Sequence, residues 1–145
     1  MEQIDTPDEM AWQTRRDWFE ETQARFAERG SRRPSEQALA LMVDLQAVFC
    51  VGAWAATVIL AAAVVECQAR ALGLKPPGAW LPGIPRKEMT WLYGLRNRLL
   101  HEERGQPAFT VQDQWTGRRE WEGHARRALG VVFAALYPPP KVEDP

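Results

Sequence analysis

The feature that most constrains the fold of this 145-residue chain is a run of nineteen residues without a charge, AVFCVGAWAATVILAAAVV, at positions 47–65. A run of this length reaches the minimum for a helix that spans a membrane. A helix buried on most of its sides inside a helical bundle has the same composition. Asp44 and Glu66 flank the run in place of lysine or arginine, and Gly52 and Thr57 interrupt it. These residues favour burial in a bundle, and membrane association of 47–65 stays as the alternative.

Apolar periodicity and the residues that start and stop helices divide the chain into helical segments. The first helix is expected to follow an N-cap at Thr6 and to continue to about residue 29, ahead of Gly30. The second helix contains the uncharged run, and the length of this helix predicts a bend or a break near Gly52. The predicted helices after the first cover residues 35–73, 86–102 and 116–137.

The segments between these helices are predicted to be irregular. Residues 74–85 include four prolines and two glycines, and residues 108–115 are expected to be extended or irregular. Trp80 and Leu81 are expected to fold the first of these loops back against the core. Since strand-like alternation is missing from the sequence, the predicted fold is an all-α bundle of four to five helices. It forms a single domain over residues 1–137, followed by a Pro-rich flexible tail at 138–145.

The net charge of −1 conceals an asymmetry between the two halves of the chain. Residues 1–69 contain six basic and eleven acidic side chains, whereas residues 70–130 contain eleven basic and six acidic ones. Arginine predominates, and its planar guanidinium group suits bidentate binding of phosphate. The second half is therefore either a solvated basic face or a surface for a nucleic-acid backbone. The candidate backbone-binding residues are Arg98, Arg104, Arg118 and Arg119.

Cysteine usage predicts a reduced, cytoplasmic protein. Cys50 and Cys67 lie in one predicted helical region, where a rise of 1.5 Å per residue separates them by roughly 25 Å, beyond the reach of a disulfide. Their spacing does not match a zinc site either. The N-terminus is acidic and polar, unlike a signal peptide. We therefore expect no metal and no cofactor.

The segment LYGLRNRLLHE, residues 92–102, combines a leucine stripe with three residues able to perform chemistry. Asn97 and His101 are four apart and so share one face of the predicted helix, with Arg96 at its edge. Histidine transfers protons near neutral pH, asparagine can fix its tautomer, and arginine can hold a phosphate. RNA cleavage with these groups needs no metal, because the 2′-hydroxyl of RNA is itself the nucleophile. On the residues alone the evidence for a site is weak, because most such pairs of arginine and histidine are ordinary surface residues.

The run RNRLLH at residues 96–101 resembles the Arg-x(4–6)-His motif of HEPN domains, in the variant with Asn directly after Arg. Glu66 and Arg70, near the end of the apolar helix, are similar to the acidic and basic pair of some HEPN ribonucleases. The resemblance implies a HEPN-like helical bundle and a metal-independent endoribonuclease, possessing one composite site between two protomers. It further implies RNA as substrate, a homodimer, a role as a toxin or defence effector, and an antitoxin or regulatory protein as a partner.

The same resemblance implies roles for individual residues. His101 would act as general base or acid, Arg96 would contact the scissile phosphate, and Asn97 would orient His101 or the phosphate. Glu66 would support Arg96 or His101. Tyr93 lies one turn before Asn97, where it either lines the cleft or packs in the core.

One departure from the family pattern concerns regulation. Glu103 stands where some toxins of the family carry a tyrosine, two residues after the histidine.

The alternative function is a non-catalytic HEPN-like dimer that binds RNA or a protein.

Overall fold

Residues 6–30, 34–74 and 81–139 are described by a computed structural model of the chain, and their regular structure is helical apart from one isolated β-bridge. The prediction of an all-α bundle is confirmed for these residues. The helices in chain order are α1 (Glu9–Ala27), α2 (Glu36–Val51), α3 (Trp54–Ala71), α4 (Arg86–Leu100), α5 (Val111–Thr116) and α6 (Arg118–Leu136).

The described ranges contain six helices, so the prediction of four to five was too low. The additional helix is α5, in a segment that was expected to be extended or irregular. Its start is held by a capping box, in which the Thr110 hydroxyl accepts from the Asp113 amide and the Asp113 carboxylate accepts from the Thr110 amide. These bonds satisfy donors that a short helix leaves unpaired.

The predicted N-cap of the first helix was also wrong. Asp8, rather than Thr6, has extended backbone geometry, and its carboxylate accepts a hydrogen bond from the Ala11 amide at 2.7 Å. Aspartate carries a full charge beside the positive end of the helix dipole, whereas threonine does not. That difference favours Asp8 where both residues precede the helix.

The predicted break near Gly52 is confirmed, and it divides the uncharged run between α2 and α3. Gly52 adopts a left-handed conformation with φ 85°, and the amides of Gly52 and Ala53 donate to the carbonyls of Phe49 and Val48. This is the usual way in which a glycine ends a helix.

Two arginines from distant helices converge on this break. Arg15 Nη1 donates to the Cys50 carbonyl at 3.0 Å, and Arg118 Nη2 donates to the Gly52 carbonyl at 2.8 Å. Both guanidinium groups lie within 5.3 Å of the centroid of the Trp54 ring. The cations therefore satisfy carbonyls at the negative end of α2 and tie α1 and α6 to the break. Burial lowers the pKa of Arg118, and the neighbouring charge of Arg15 lowers it further.

Helix α3 is the central element and packs chiefly against α6 and α2. Its alanines Ala61 and Ala62 and its valines Val58 and Val65 are all fully buried. In the described part of the chain, α3 is the one helix long and apolar enough to cross a membrane, and half of it is buried inside the fold. A core helix has the same length and composition, so the structure accounts for the uncharged run by packing.

Helix α4 lies against α3 and α6 through Met89, Leu92 and Leu95. Its outer side is tied to α6 by Arg127, which donates two hydrogen bonds to the Glu88 carboxylate at 2.8 and 3.0 Å. These contacts fix the helix that carries the RNRLLH motif along the central helix.

The predicted irregular loop at residues 74–85 and the predicted tail at 138–145 are described only in part. Leu81 is buried, as expected, and its amide donates to the sulfur of Met89, whereas Trp80 lies outside the described residues. At the start of the predicted tail, Pro139 packs against the turn at Gly83, and residues from 140 onward are also outside the description.

Substituting Gly52→Ala is expected to destabilise the protein by about 2 kcal/mol, since a left-handed L-residue alone costs about 1–2 kcal/mol. In addition, the new Cβ would lie 3.0 Å from a nitrogen of Arg15 and from one of Arg118. Gly123→Ala is the matched control, because Gly123 lies within α6 with nothing within 4 Å of a Cβ. That control should gain roughly 0.5–1 kcal/mol. Urea denaturation of both variants measures the difference, and a Gly52→Ala protein as stable as the parent would contradict the account.

Candidate functional site

The candidate site contains an ion pair that joins α4, which carries most of the RNRLLH motif, to the central helix α3. Arg96 Nη1 on α4 lies 3.0 Å from Glu66 Oε2 on α3. The Arg96 side chain is 20% exposed and that of Glu66 is 24% exposed, so the pair is largely screened from solvent. Of the two residues that Glu66 was expected to support, Arg96 and His101, it contacts Arg96.

Arg96 is held by a second hydrogen bond within its own helix. Its Nε donates to Asn97 Oδ1 at 2.9 Å. With Nε and Nη1 both engaged, the guanidinium plane has a fixed orientation. The amide of Asn97 thus orients the arginine in this structure.

Tyr93 packs below this arginine and extends the cluster into the protein. The guanidinium carbon of Arg96 is 5.5 Å from the ring centroid, a cation–π distance. The hydroxyl oxygen of Tyr93 is buried and has no hydrogen-bond partner among the described residues. Burial raises the pKa of Tyr93, the charge of Glu66 raises it further, and the charge of Arg96 opposes both. Tyr93 is thus a packed residue beneath the pair.

An open groove of about 730 Å³ borders the same carboxylate on the side of α2. Its lining includes Ser35 and Leu41 from the region of α2 and Cys67 and Arg70 from α3. Arg70 lies 3.9 Å from Glu66 with an exposed side chain, a weak second ion pair. The Glu66 carboxylate therefore lies between a fixed arginine and an open groove.

His101 lies beyond the last helical residue of α4, and not within the helix as predicted. Its φ and ψ are −128° and 88°, and its amide donates to the Asn97 carbonyl as the helix ends. The backbone therefore leaves helical geometry directly after Leu100, while the bond between the His101 amide and the Asn97 carbonyl keeps the two residues one turn apart. The imidazole is exposed and, in the part of the chain that the structure describes, makes no hydrogen bond or ion pair. It is therefore free to meet a ligand.

The four candidate backbone-binding arginines are divided between two regions. Arg98 and Arg104 are exposed close to His101 in the chain, at the end of α4 and in the turn that follows it. Arg118 is committed to the α2–α3 break, roughly 18 Å along α3 from Glu66 at 1.5 Å per residue. Arg119 is exposed at the start of α6. Only the first two adjoin the motif in the chain.

A second hollow next to the motif was missing from the sequence-based prediction. It has a volume of about 290 Å³ and is bordered by the end of α4, the first half of α3 and the loop before α5. Three segments that are distant in sequence build it, which is why no local pattern indicated it. The only local signal was Glu102, directly after the motif histidine.

Comparison of the chain with protein-family models, with curated proteins and with solved structures gave no match. Among the described residues, no group of three or more His, Cys, Asp and Glu side chains is placed to hold a metal ion. Cys50 and Cys67 are both free thiols, and burial raises the pKa of each.

Substituting Glu66→Gln is expected to lower the pKa of Tyr93, because it removes a negative charge that opposes formation of the phenolate. Spectrophotometric titration in a Tyr137→Phe background reports Tyr93 alone, since the chain has two tyrosines. The raised pKa also means that the folded state holds the phenol proton more tightly than the unfolded chain. The stability contributed by this proton is complete below the ordinary tyrosine pKa and is lost as pH rises through the raised value.

Glu103→Gln serves as the control for this titration, since Glu103 is exposed in the turn after α4. It removes the same charge without touching Tyr93. An unchanged titration curve in Glu66→Gln, or an equal shift in Glu103→Gln, would contradict the described arrangement.

Proposed function

We propose that the chain is a metal-independent endoribonuclease of HEPN type that acts as a homodimer. The observation that carries this proposal is the arrangement at the end of α4. An arginine is held in one orientation by Glu66 and Asn97, and an exposed histidine follows it at the end of the same helix. The resemblance of RNRLLH to the HEPN motif gives these residues a common chemistry.

In the proposed reaction the 2′-hydroxyl of one ribose attacks the adjacent phosphorus. His101 of one protomer removes the hydroxyl proton, and a protonated histidine from the second copy returns a proton to the departing 5′-oxygen. The bond between phosphorus and the 5′-oxygen breaks, leaving a 2′,3′-cyclic phosphate and a 5′-hydroxyl. Arg96 stabilises the negative charge on the phosphoryl oxygens in the transition state. Glu66 and Asn97 act as positioning residues that keep the guanidinium group in place.

The surface beside the motif supports a role for a second copy of the chain. Leu100 directly precedes His101 and is 52% exposed, an apolar side chain in solvent next to the proposed acid–base group. In the proposed dimer the two motifs face one cleft, and Leu100 is covered there. Action as a toxin or defence effector, control by an antitoxin or regulatory protein, and a cytoplasmic location are parts of the same proposal.

The second candidate is a non-catalytic HEPN-like dimer that binds RNA or a protein. The hydrogen bonds of Arg96 also fit this candidate, because its Nε and Nη1 are already used within the protein. An arginine engaged in this way joins α3 to α4 whether or not a phosphate is present. The two candidates differ in what they require of His101, which has no structural partner of its own in the described ranges.

The endoribonuclease proposal predicts that His101→Ala and Arg96→Ala each lower the rate of RNA cleavage in EDTA by about 10²–10⁴-fold. Loss of a general acid–base group or of a donor to the transition state typically has effects of this size. Single-turnover cleavage of a labelled RNA measures the rates, and circular dichroism verifies that each variant is folded.

His124→Ala is the matched control for these variants, because it removes the other histidine of the chain. The His124 ring lies in α6, edge-on to Trp121, with centroids 5.1 Å apart. Cleavage should survive this substitution. Full activity in His101→Ala would refute the proposal, and RNA retention by a parent protein that never cleaves would select the non-catalytic dimer.

A further inference from the structure

The hollow of about 290 Å³ beside the motif has an apolar floor and a polar rim. Ala55 and Ile59 of α3, Leu99 of α4 and Phe109 of the following loop form the floor. Arg98 in the last turn of α4 and Glu102, two residues beyond the end of that helix, form the rim. Apolar walls with a few polar groups are what small-molecule sites in proteins have, and this volume is at the lower end of their range.

The aromatic wall of this hollow is fixed from behind. The ring of Phe109 meets that of Trp121 edge-on, with centroids 4.5 Å apart. Trp121 belongs to the buried core and is 4% exposed. Phe109 is itself only partly buried, so one part of its ring rests on the core while another faces the hollow. A partly exposed aromatic ring that packs against the core is a surface on which a nucleobase can stack.

Both charged groups on the rim are available to a ligand. Within the described ranges neither Arg98 nor Glu102 makes an ion pair, and both are exposed. Glu102 directly follows His101, so its carboxylate belongs to the same end of α4 as the proposed acid–base group. The hollow lies roughly 10 Å from Glu66, measured along α3 from Ile59 at 1.5 Å per residue. That separation is about two turns of helix.

The chemistry of the rim selects one type of base. An ionised carboxylate accepts hydrogen bonds and donates none. Guanine presents two adjacent donors, its N1–H and its exocyclic amino group, whereas adenine, cytosine and uracil present no such pair on that edge. A carboxylate facing two donors makes a bidentate pair, and a guanidinium group beside it suits the phosphate of the same nucleotide.

We infer that this hollow binds a guanine base of the RNA, with the base against Phe109 and its Watson–Crick edge on Glu102. The inference rests on the proposed function, because that function is what makes RNA the ligand. Arg98 contacts the phosphate of the bound nucleotide and offsets the negative charge of Glu102 beside the RNA backbone. Glu102 is then the residue that determines specificity at this position.

Binding of single nucleotides tests the hollow without any cleavage. Isothermal titration of the His101→Ala protein with guanosine, adenosine, cytidine and uridine monophosphates should show the tightest binding for guanosine monophosphate. Adding Glu102→Gln should weaken that binding by roughly tenfold or more, the effect typical of losing one bidentate base contact. Adding Glu103→Gln should leave it unchanged, since the neighbouring Glu103 does not line the hollow.

Equal affinity for all four nucleotides would overturn the inference, as would equal affinities of the Glu102→Gln and Glu103→Gln proteins. Mapping of cut positions in a mixed-sequence RNA separates this failure from failure of the proposed function. Cleavage by the parent protein with no preference for guanine leaves the endoribonuclease in place and removes the guanine site. A guanosine monophosphate preference that depends on Glu102, in a protein that does not cleave RNA, supports the site and removes the endoribonuclease.

Discussion

Helix α3 packs against α2 on one side and α6 on the other, and the remaining helices of the described chain are positioned by contacts with these three. Most of its buried residues are alanine or valine, whose small side chains allow close approach of neighbouring helices. A single helix over residues 35–73, as the apolar pattern alone would allow, would be about twice as long as α1 or α6, which have 19 residues each. Gly52 ends α2, and the carbonyls left at that end are satisfied by Arg15 and Arg118. The break before α3 is thus held by residues of α1 and α6, the latter of which also packs against the buried face of α3.

The same helix determines where the chemistry lies. Glu66 is at the edge of the buried face of α3, where a carboxylate in a partly screened position needs a partner. Arg96 of α4 provides it and is in turn fixed by Asn97. The cluster therefore has a structural reason to exist whether or not it cleaves RNA. What distinguishes an active site from a helix contact is His101, which no described residue engages and which structural packing does not explain.

Sequence patterns gave the helical class and the break at Gly52, because a glycine within a long apolar run has few other roles. They placed the N-cap at Thr6, where two capping residues compete and the charged Asp8 prevails. They also missed α5, since six residues are too few for periodicity, although its capping box is visible as a threonine followed three residues later by aspartate. The predicted helix was also extended two residues past Leu100, although the backbone leaves helical geometry at His101.

The Glu66–Arg96 contact followed from the family resemblance, since residues 30 positions apart show no local pattern. The hollow at Phe109 and Glu102 depends on contacts among α3, α4 and a loop. Sequence periodicity identifies single helices and strands, and it does not indicate which loop packs against which helix. It became visible only when the helices were placed.

The chemical identity of the ends of cleaved RNA is the measurement that tests the central claim most directly. Attack by the 2′-hydroxyl, with proton transfer by His101, predicts a 2′,3′-cyclic phosphate and a 5′-hydroxyl. These ends should form in the presence of EDTA and disappear with the His101→Ala protein. Products with a 3′-hydroxyl and a 5′-phosphate, or cyclic phosphate ends formed equally by the His101→Ala protein, would contradict the assignment of this site.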